Sequence, residues 1–135
     1  AMGTCGTLCG VAQVLKAKNP AIEIIGVEPA EAPMLSQGHW PPHRIMGTSP
    51  GLVPDIVQRE MIDEMVTVTE ADAFEACRQL VAKDGVLVGI SSGAVADASL
   101  KIASRNENSE KLIVCVLADR GERYLSVDGL FDSAK

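Results

Sequence analysis

The sequence has no excess of positive charge and no long apolar run. Twelve Lys and Arg residues stand against eighteen Asp and Glu residues, which gives a formal net charge of −6 at pH 7. This balance repels nucleic acid and acidic membrane surfaces. No apolar run reaches the roughly 20 residues of a membrane-spanning helix, and the first residues lack the pattern of a secretory signal. We therefore expect a cytoplasmic protein that binds neither nucleic acid nor membranes.

Cysteine and histidine are too few and too scattered to predict a metal site. The cysteines lack the paired short spacings of a zinc site and the density of a disulfide-rich scaffold. His39 and His43 lie in a proline-rich stretch without a Ser or Cys nucleophile pattern, so we interpret them as loop-packing or exposed residues. We expect four reduced, buried thiols, at Cys5, Cys9, Cys77 and Cys115.

The chain is long and apolar enough for one domain with its own core. Its 135 residues are 47% apolar, which predicts a single α/β domain over residues 1–135. Two apolar runs, 22–27 and 111–117, predict strands that are buried on both faces. Strands that alternate with helices indicate a mostly parallel sheet with helices on both faces. The other predicted elements are helices over 11–18, 69–85 and 91–105, an exposed strand over 61–68, and an irregular stretch over 29–54. The second of these helices has a start that resembles a capping box at Thr69, and Gly85 is predicted to end it.

The first candidate site is a glycine-rich loop that precedes the first predicted helix. Glycine allows positive φ, so consecutive amides can converge on one anion, and the helix start adds partial positive charge. The loop therefore predicts a phosphate-binding site, with an ordinary capped turn as the alternative. It lacks the Lys of a P-loop and the spacing of a dinucleotide fingerprint, so nucleotide hydrolysis is not predicted. The residues of this loop are Gly3, Thr4, Cys5, Gly6 and Thr7.

Two further segments place polar groups directly after apolar runs. Residues 89–94 carry the hydroxyls of Ser91 and Ser92 at the start of a predicted helix, and residues 118–126 carry Asp119. Polar groups at the carboxyl ends of strands face the crevice where open α/β sheets bind ligands. The alternatives are a capped helix without a ligand for the first segment and a salt-bridged rim for the second.

These segments belong to a longer series of motifs in a fixed order. The series is Gly-Thr-Cys-Gly-Thr at 3–7, Gly-Val-Glu-Pro at 26–29, Pro-His-Arg-Ile at 42–45 with Gly47, Gly51 and Pro54, Ile-Asp-Glu at 62–64, Gly-Ile-Ser-Ser-Gly-Ala at 89–94 and Gly-Glu-Arg-Tyr-Leu-Ser at 121–126. It covers essentially the whole chain and resembles the cysteine synthase family, also called O-acetylserine sulfhydrylases. The resemblance implies the tryptophan-synthase-β-like fold (fold type II) of pyridoxal-phosphate enzymes, with residues 1–135 as its C-terminal, phosphate-binding part.

The resemblance also implies a reaction and a cofactor. Enzymes of this family replace the β-substituent of an activated serine, such as O-acetylserine, with sulfide to give cysteine and acetate. Pyridoxal phosphate serves as the electron sink, and the protein supplies orientation and electrostatics. By position, the loop at 3–7 resembles the part that holds the cofactor phosphate. The residues that match the segments around the cofactor ring and substrate are Gly89, Ser91, Ser92, Ala118 and Asp119, with Arg120 beside them.

The chain departs from the family pattern at two places. In the family, a Ser or Thr just before the Gly-Glu-Arg-Tyr-Leu-Ser motif approaches the pyridine nitrogen, whereas Ala118, Asp119 and Arg120 stand here. This variant resembles the B-type branch of cysteine synthases. The third residue of the phosphate loop is not always glycine in that branch, so Cys5 is tolerated there, although its side chain restricts φ. The second departure is the segment at 47–52, Gly-Thr-Ser-Pro-Gly-Leu, where many relatives are richer in glycine and lack the proline.

The family's Schiff-base lysine lies upstream of the phosphate loop, and no matching motif occurs in this chain. The lysines are predicted on polar helix faces, at strand edges or at the terminus, where an amine is solvated and not nucleophilic. We therefore assign no catalytic residue and expect a fragment with weak or absent cofactor binding and no turnover alone. The lysines are Lys16, Lys18, Lys83, Lys101, Lys111 and Lys135.

Other functions and partners remain open at the level of sequence. Cystathionine β-synthase and serine/threonine dehydratase share the fold and the cofactor that the resemblance implies. A non-catalytic module that binds a phosphate ligand or a partner, such as serine acetyltransferase, is the alternative from another class. Unpaired strand edges and exposed apolar faces favour a homo-oligomer.

Overall fold

The computed structural model describes residues 1–131. It contains four α-helices and two strands in the order α1 (Gly6–Lys18), β1 (Ile25–Pro29), α2 (Met34–Gln37), β2 (Glu64–Val68), α3 (Glu70–Gln79) and α4 (Ile90–Ala103). Short 3₁₀ turns cover Arg59–Met61, Asn106–Asn108 and Gly121–Tyr124, and a π-helical turn over Leu80–Asp84 extends α3. Strands β1 and β2 are parallel, with Val27 opposite Val66. Strands that alternate with helices agree with the predicted α/β class.

Several helix boundaries follow from local sequence signals. Thr69 is the N-cap of α3, where its side chain accepts a hydrogen bond from the amide of Asp72 at 3.1 Å. Gly85 ends the π-helical turn with φ of +67°, the left-handed conformation that glycine adopts without strain. The predicted caps at both ends of this helix are therefore confirmed.

A close approach of α3 and α4 forms the main core. Gly93 of α4 faces α3 so closely that a methyl group there would overlap the carbonyl oxygen of Ala73 and the sulfur of Cys77. Phe74 and Ile90 are buried in the same core, together with Val68 at the end of β2. Gly93, in the glycine-rich segment at 89–94, therefore serves the packing of α4 on α3.

Asp63 joins α1 to the start of both strands. Its Oδ2 accepts a hydrogen bond from the amide of Ile24 at 2.7 Å, and its Oδ1 accepts one from Nζ of Lys16 at 2.8 Å. The hydrogen bond from Ile24 and then the ammonium of Lys16 lower the pKa of Asp63 below its usual value. The ionised carboxylate of Asp63 thus fixes the backbone just before β1 and β2.

Asp63 contributes stability only while it is ionised. Because its folded-state pKa is lowered, its contribution is full above the unfolded-state pKa of about 3.9 and is lost as pH falls through the folded value. We expect Asp63→Asn to show a smaller drop in free energy of unfolding between pH 7 and pH 3 than the unmodified chain, measured by urea denaturation. Asp55→Asn, at an exposed position, is the control. An equal pH dependence in all three proteins would contradict this role.

The structure corrects three predictions. Helix α1 begins at Gly6 rather than at residue 11, so the glycine-rich loop runs directly into it. Cys115 is exposed, whereas the other three cysteines are buried as expected. Most importantly, residues 111–117 do not form a strand within the described chain, and Leu112 and Val114 are 91% and 80% exposed. A central strand needs paired neighbours on both edges, and the described chain supplies none for this segment.

The proline-rich stretch is organised by buried polar groups rather than by regular structure. Glu28 is buried, and its carboxylate accepts hydrogen bonds from the amides of Leu35 and Ser36 at 2.9 and 3.1 Å, at the start of α2. Trp40 donates from Nε1 to the carbonyl oxygen of Ser49 at 2.5 Å, and Nε2 of His43 lies 3.4 Å from the same oxygen. The interpretation of His43 as a loop-packing residue agrees with this contact.

Candidate functional site

Backbone hydrogen bonds and close packing fix the start of the glycine-rich loop. The amide of Met2 donates to the carbonyl oxygen of Val27 at 2.7 Å, and the carbonyl of Met2 accepts from the amide of Ser49 at 2.8 Å. Gly3 packs so closely on Gly47 that any side chain at position 3 would overlap the carbonyl oxygen of Gly47. A glycine is therefore required at position 3, and the loop that follows has a fixed origin beside β1.

Cys5 turns the chain from the loop into α1. It is the N-cap residue, with φ of +63° in the left-handed region, and its side chain forms no capping hydrogen bond. The sulfur is buried and lies 3.7 Å from the carbonyl oxygen of Gly3. Burial, with a smaller contribution from Cys9, raises the pKa of this thiol. Cys5 therefore shapes the loop as a neutral, packed side chain in a conformation that glycine usually supplies.

The opposite side of the loop offers free hydrogen-bond donors. Thr4, Gly6 and Thr7 are exposed, and no acceptor within residues 1–131 bonds to the amides of Gly6 and Thr7. Helix α1 has 13 residues and no acidic side chain in its first turn, so its positive end is not neutralised. Exposed amides and hydroxyls at a positive helix end fit the oxygens of a phosphate group.

The second predicted segment meets this loop through Gly47. Gly89 is the N-cap of α4, and Ser91 lies in the first turn of that helix. A methyl group on Gly47 would lie 3.8 Å from Oγ of Ser91, and Gly3 packs against the carbonyl group of the same glycine. Gly47 has φ of +88°, which a residue with a side chain rarely adopts. The structure therefore brings both Gly3 and Ser91 close to one glycine.

Ser92 is buried with an unsatisfied hydroxyl. It is 1% exposed, and its Oγ has no hydrogen-bond partner in the described part of the chain. A buried hydroxyl without a partner costs free energy comparable to a lost hydrogen bond. This second hydroxyl at the start of α4 therefore has unused hydrogen-bonding capacity beside Ser91.

Gly89 also contacts the third predicted segment, residues 118–126. Its amide donates to the carbonyl oxygen of Asp119 at 3.1 Å, and the carboxylate of Asp119 occupies the space that a side chain at Gly89 would fill. Oδ2 of Asp119 accepts a hydrogen bond from the hydroxyl of Tyr124 at 2.5 Å, whereas Oδ1 is buried without a partner in the described structure. The hydrogen bond to Asp119 raises the pKa of Tyr124. Asp119 is thus oriented by two residues and keeps one free oxygen.

Not every predicted residue joins this arrangement through a direct contact. Ala118 is exposed, and Arg120 forms an isolated antiparallel bridge with Val88. Within residues 1–131, no ion pair involves Asp119, Arg120 or Glu122, so the salt-bridged rim considered for this segment is not formed there. The same range contains no hydrogen bond between Asp119 and the loop at 3–7.

Two residues of this arrangement were not predicted as site residues. Tyr124 belongs to the last motif of the series, and its hydrogen bond to Asp119 spans five residues across an irregular turn. Gly47 belongs to the motif series within the proline-rich stretch, and its contacts lie far away in sequence. Local periodicity contains no signal for such contacts, although a glycine within a proline-rich stretch does indicate a special backbone conformation.

Tyr124 is expected to stabilise the orientation of Asp119. Removing its hydroxyl in Tyr124→Phe leaves a carboxylate with no donor on either oxygen within the described chain, so we expect a loss of about 1.5 kcal/mol in free energy of unfolding. Urea denaturation at pH 7 measures this loss. Phe131→Leu, at a partly buried position of the same core, is the control for a general change in packing. No loss in Tyr124→Phe would show that the hydrogen bond is not formed in solution.

The lysines of the described chain lie away from these loops. Lys16 pairs with Asp63, Lys101 pairs with Asp72 and Asp97, and Lys83 bonds to a glutamine of its own helix. Lys18 and Lys111 are exposed, and Lys135 lies outside the described residues.

The described residues contain neither a cluster of three or more His, Cys, Asp and Glu that could hold a metal ion nor a helix able to span a membrane.

Comparison with known proteins defines the family. Residues 1–119 match the family model described as pyridoxal-phosphate dependent enzyme, and the chain belongs to that family. It is 44% identical over 126 residues to the probable cysteine synthase of Bacillus subtilis (strain 168), and the aligned region covers 93% of this chain and 40% of the relative. It is 42% identical over 130 residues to O-ureido-L-serine synthase of Streptomyces lavendulae, covering 96% and 40%.

Solved structures agree with this assignment. The O-acetyl serine sulfhydrylase isoform 3 from Entamoeba histolytica superposes with a TM-score of 0.95 at 42% identity, over 99% of this chain and 40% of that one. An O-acetylserine dependent cystathionine beta-synthase from Helicobacter pylori superposes with a TM-score of 0.87 at 37% identity, over 96% and 42%. The fold type II prediction is therefore confirmed, and the chain spans about 40% of the length of the relatives it matches.

Proposed function

We propose that the loop at 3–7 holds the phosphate of pyridoxal phosphate in a cysteine-synthase-like enzyme. The observation that carries the proposal is the exposed, unbonded amides of Gly6 and Thr7 at the positive end of α1. The hydroxyls of Thr4 and Thr7 supply further donors, and Gly3 and Cys5 set the backbone path. The donor set fits a phosphate, because it is neutral, lies at a helix start and is free of acidic residues.

The other predicted residues would lie along the cofactor ring and the substrate. Ser91 and Ser92 lie in the first turn of α4, where Oγ of Ser91 is close to Gly47, the glycine on which the loop residue Gly3 also packs. Asp119, oriented by Tyr124 and Gly89, lies beside Ala118 and has one buried carboxylate oxygen without a partner in the described chain. When bound, the cofactor supplies the electron sink for chemistry at the substrate's α and β carbons. These residues of the chain bind and orient it.

We place the whole enzyme among those that exchange the β-substituent of an activated serine. The favoured reaction joins O-acetylserine and sulfide to give cysteine and acetate. The relatives named as a cysteine synthase and an O-acetyl serine sulfhydrylase support this choice. A relative of similar identity is named O-ureido-L-serine synthase, a name that specifies a different substituent on the serine product. The identity of the nucleophile is therefore the part of the proposal that most needs a test.

A chimaera tests the reaction. The region of the Bacillus subtilis relative that matches this chain is replaced by residues 1–126, and the product is assayed with O-acetylserine plus sulfide, O-acetylserine plus hydroxyurea, and serine plus homocysteine. Fastest turnover with sulfide supports a cysteine synthase. Fastest turnover with homocysteine would assign the residues to a cystathionine β-synthase, and a preference for hydroxyurea to an O-ureidoserine synthase.

The chain by itself is expected to be inactive. Each lysine of the described range is paired with a side chain or exposed, so none has the burial that makes an amine nucleophilic at neutral pH. The visible spectrum of the chain mixed with pyridoxal phosphate should show no red-shifted imine band. Such a band, abolished by a single Lys→Ala substitution, would contradict this expectation.

Residues 1–135 are proposed to act as one α/β domain that self-associates. Exposed apolar side chains such as Leu112 and Val114 are the surface that association would cover. Light scattering at micromolar concentration should report a dimer or larger species, and a monodisperse monomer would contradict it. Calorimetric titration with the C-terminal tail of serine acetyltransferase tests that enzyme as a partner.

A further inference from the structure

The segment at 47–51 has an unusual backbone conformation. Gly47, Ser49 and Gly51 all have positive φ, at +88°, +38° and +83°. Glycine adopts this region readily, whereas the side chain of Ser49 disfavours it. A residue with a side chain at positive φ costs free energy and persists only where surrounding contacts hold it in place. The contacts of Ser49 therefore determine whether the segment keeps this conformation.

Ser49 is buried, and each of its polar groups has a partner. Its hydroxyl donates to the carbonyl oxygen of Ala32 at 2.8 Å, and its amide donates to the carbonyl oxygen of Met2 at 2.8 Å. Its own carbonyl oxygen accepts from Nε1 of Trp40 at 2.5 Å, and Nε2 of His43 lies 3.4 Å from the same oxygen. One buried residue thus connects Trp40 to Met2, which directly precedes the glycine-rich loop.

Trp40 makes a closer contact with this segment than His43 does. The 3.4 Å separation at His43 is long for a hydrogen bond, whereas the indole N–H of Trp40 is within the normal range. The indole ring also packs on Gly51, where a methyl group would lie 3.0 to 3.1 Å from three of the ring atoms. Trp40 therefore holds the segment at two points, by a hydrogen bond to Ser49 and by packing on Gly51.

The same segment fixes the start of the glycine-rich loop. The amide of Ser49 bonds to Met2, and the carbonyl oxygen of Gly47 lies against Gly3 so closely that no side chain fits there. A change in the backbone of Ser49 would therefore disturb two successive residues of the chain just where the loop begins. The conformation of the segment at 47–51 and the backbone path of the loop are linked through these contacts.

We propose that Trp40 is a positioning residue for phosphate binding at the glycine-rich loop. Its indole N–H holds the carbonyl oxygen of Ser49, and Ser49 holds Met2. The inference rests on the proposed function, because its ligand is the phosphate group of pyridoxal phosphate. Without the Trp40 contact, the segment relaxes from its positive φ values, so a smaller fraction of the chain has the binding conformation. The apparent affinity falls in proportion to that fraction.

Trp40→Phe tests the proposal, because it keeps an aromatic ring beside Gly51 but removes the N–H donor. The dissociation constant for pyridoxal phosphate is measured from the amide resonances of Gly6 and Thr7. We expect it to rise about fivefold, the factor that corresponds to one neutral hydrogen bond. Val53→Ala shortens a similarly exposed side chain of the same proline-rich stretch and should leave the dissociation constant unchanged.

A second measurement needs no variant. Coupling between two events is reciprocal, so a phosphate bound at the loop strengthens the Trp40 contact in turn. Trp40 is the single tryptophan of the chain, and its indole N–H gives one resonance. We expect this N–H to exchange with solvent about fivefold more slowly with saturating pyridoxal phosphate than with pyridoxal, which lacks the phosphate. A contact that only stabilises the fold would exchange at the same rate with both compounds.

Three results would overturn the proposal. They are an unchanged dissociation constant in Trp40→Phe, a rise of the same size in Val53→Ala, and equal indole exchange with pyridoxal phosphate and pyridoxal. If Trp40→Phe fails to fold, the exchange measurement on the unmodified chain decides. An unmodified chain whose loop amides do not respond to pyridoxal phosphate contradicts the proposed function, and the inference fails with it. Equal binding by the unmodified chain and Trp40→Phe contradicts the inference alone.

Discussion

Replacing Gly93 with alanine is expected to lower the free energy of unfolding by about 3 kcal/mol. The added methyl group would overlap the carbonyl oxygen of Ala73, a backbone atom of α3, and the buried sulfur of Cys77. Neither atom belongs to the far end of a flexible side chain, so relief requires the two helices to separate. Urea denaturation followed by circular dichroism measures the loss.

Gly10→Ala provides a matched control for this prediction. Gly10 also lies in a helix, α1, but a methyl group there meets nothing within 4 Å. Because alanine has a higher helix propensity than glycine, we expect this variant to gain about 0.5 to 1 kcal/mol. Opposite signs for the two substitutions support the observed packing of α3 on α4. A gain at both positions would mean that the two helices are not in contact in solution.

Thr7→Pro is expected to weaken the binding of pyridoxal phosphate about tenfold. Proline removes the amide hydrogen at the second position of α1, where the helix itself has no use for it and the proline ring is tolerated. A hydrogen bond to a charged phosphate oxygen contributes about 1.5 kcal/mol or more, which corresponds to a factor of ten. The dissociation constants are measured by titration of the amide resonances.

Thr7→Ala separates the amide from the hydroxyl. This variant loses the same hydroxyl as Thr7→Pro but keeps the backbone donor, so we expect less than a threefold change in the dissociation constant. Circular dichroism verifies that α1 is intact in both variants. If alanine weakens binding as much as proline does, the hydroxyl rather than the backbone of the loop binds the phosphate.

Local signals in the sequence predicted the elements whose causes are local. Thr69 and Gly85 act through their own backbone and nearest neighbours, so the caps around α3 could be predicted correctly. The loop at 3–7 could likewise be predicted, because glycine and threonine before a helix describe a donor-rich turn without any knowledge of the rest of the fold. This loop is the part of the candidate site that local sequence alone predicts.

The largest error and the missed contacts come from features that depend on distant partners. Residues 111–117 are apolar enough for a buried strand, but burial needs neighbours on both edges, and the described chain provides a groove instead. Gly47 joins the loop to α4 through contacts more than 40 residues apart in both directions. Such contacts are set by tertiary packing, which neither periodicity nor turn chemistry contains.

The central claim is that backbone amides at the start of α1 bind a phosphate. It is tested most directly by NMR titration of the ¹⁵N-labelled chain with pyridoxal phosphate and, separately, with pyridoxal, which lacks the phosphate. We predict that pyridoxal phosphate shifts the amide resonances of Thr4, Gly6 and Thr7 and that pyridoxal leaves them unchanged. Equal shifts with both compounds, or shifts confined to residues outside the loop, would contradict the claim.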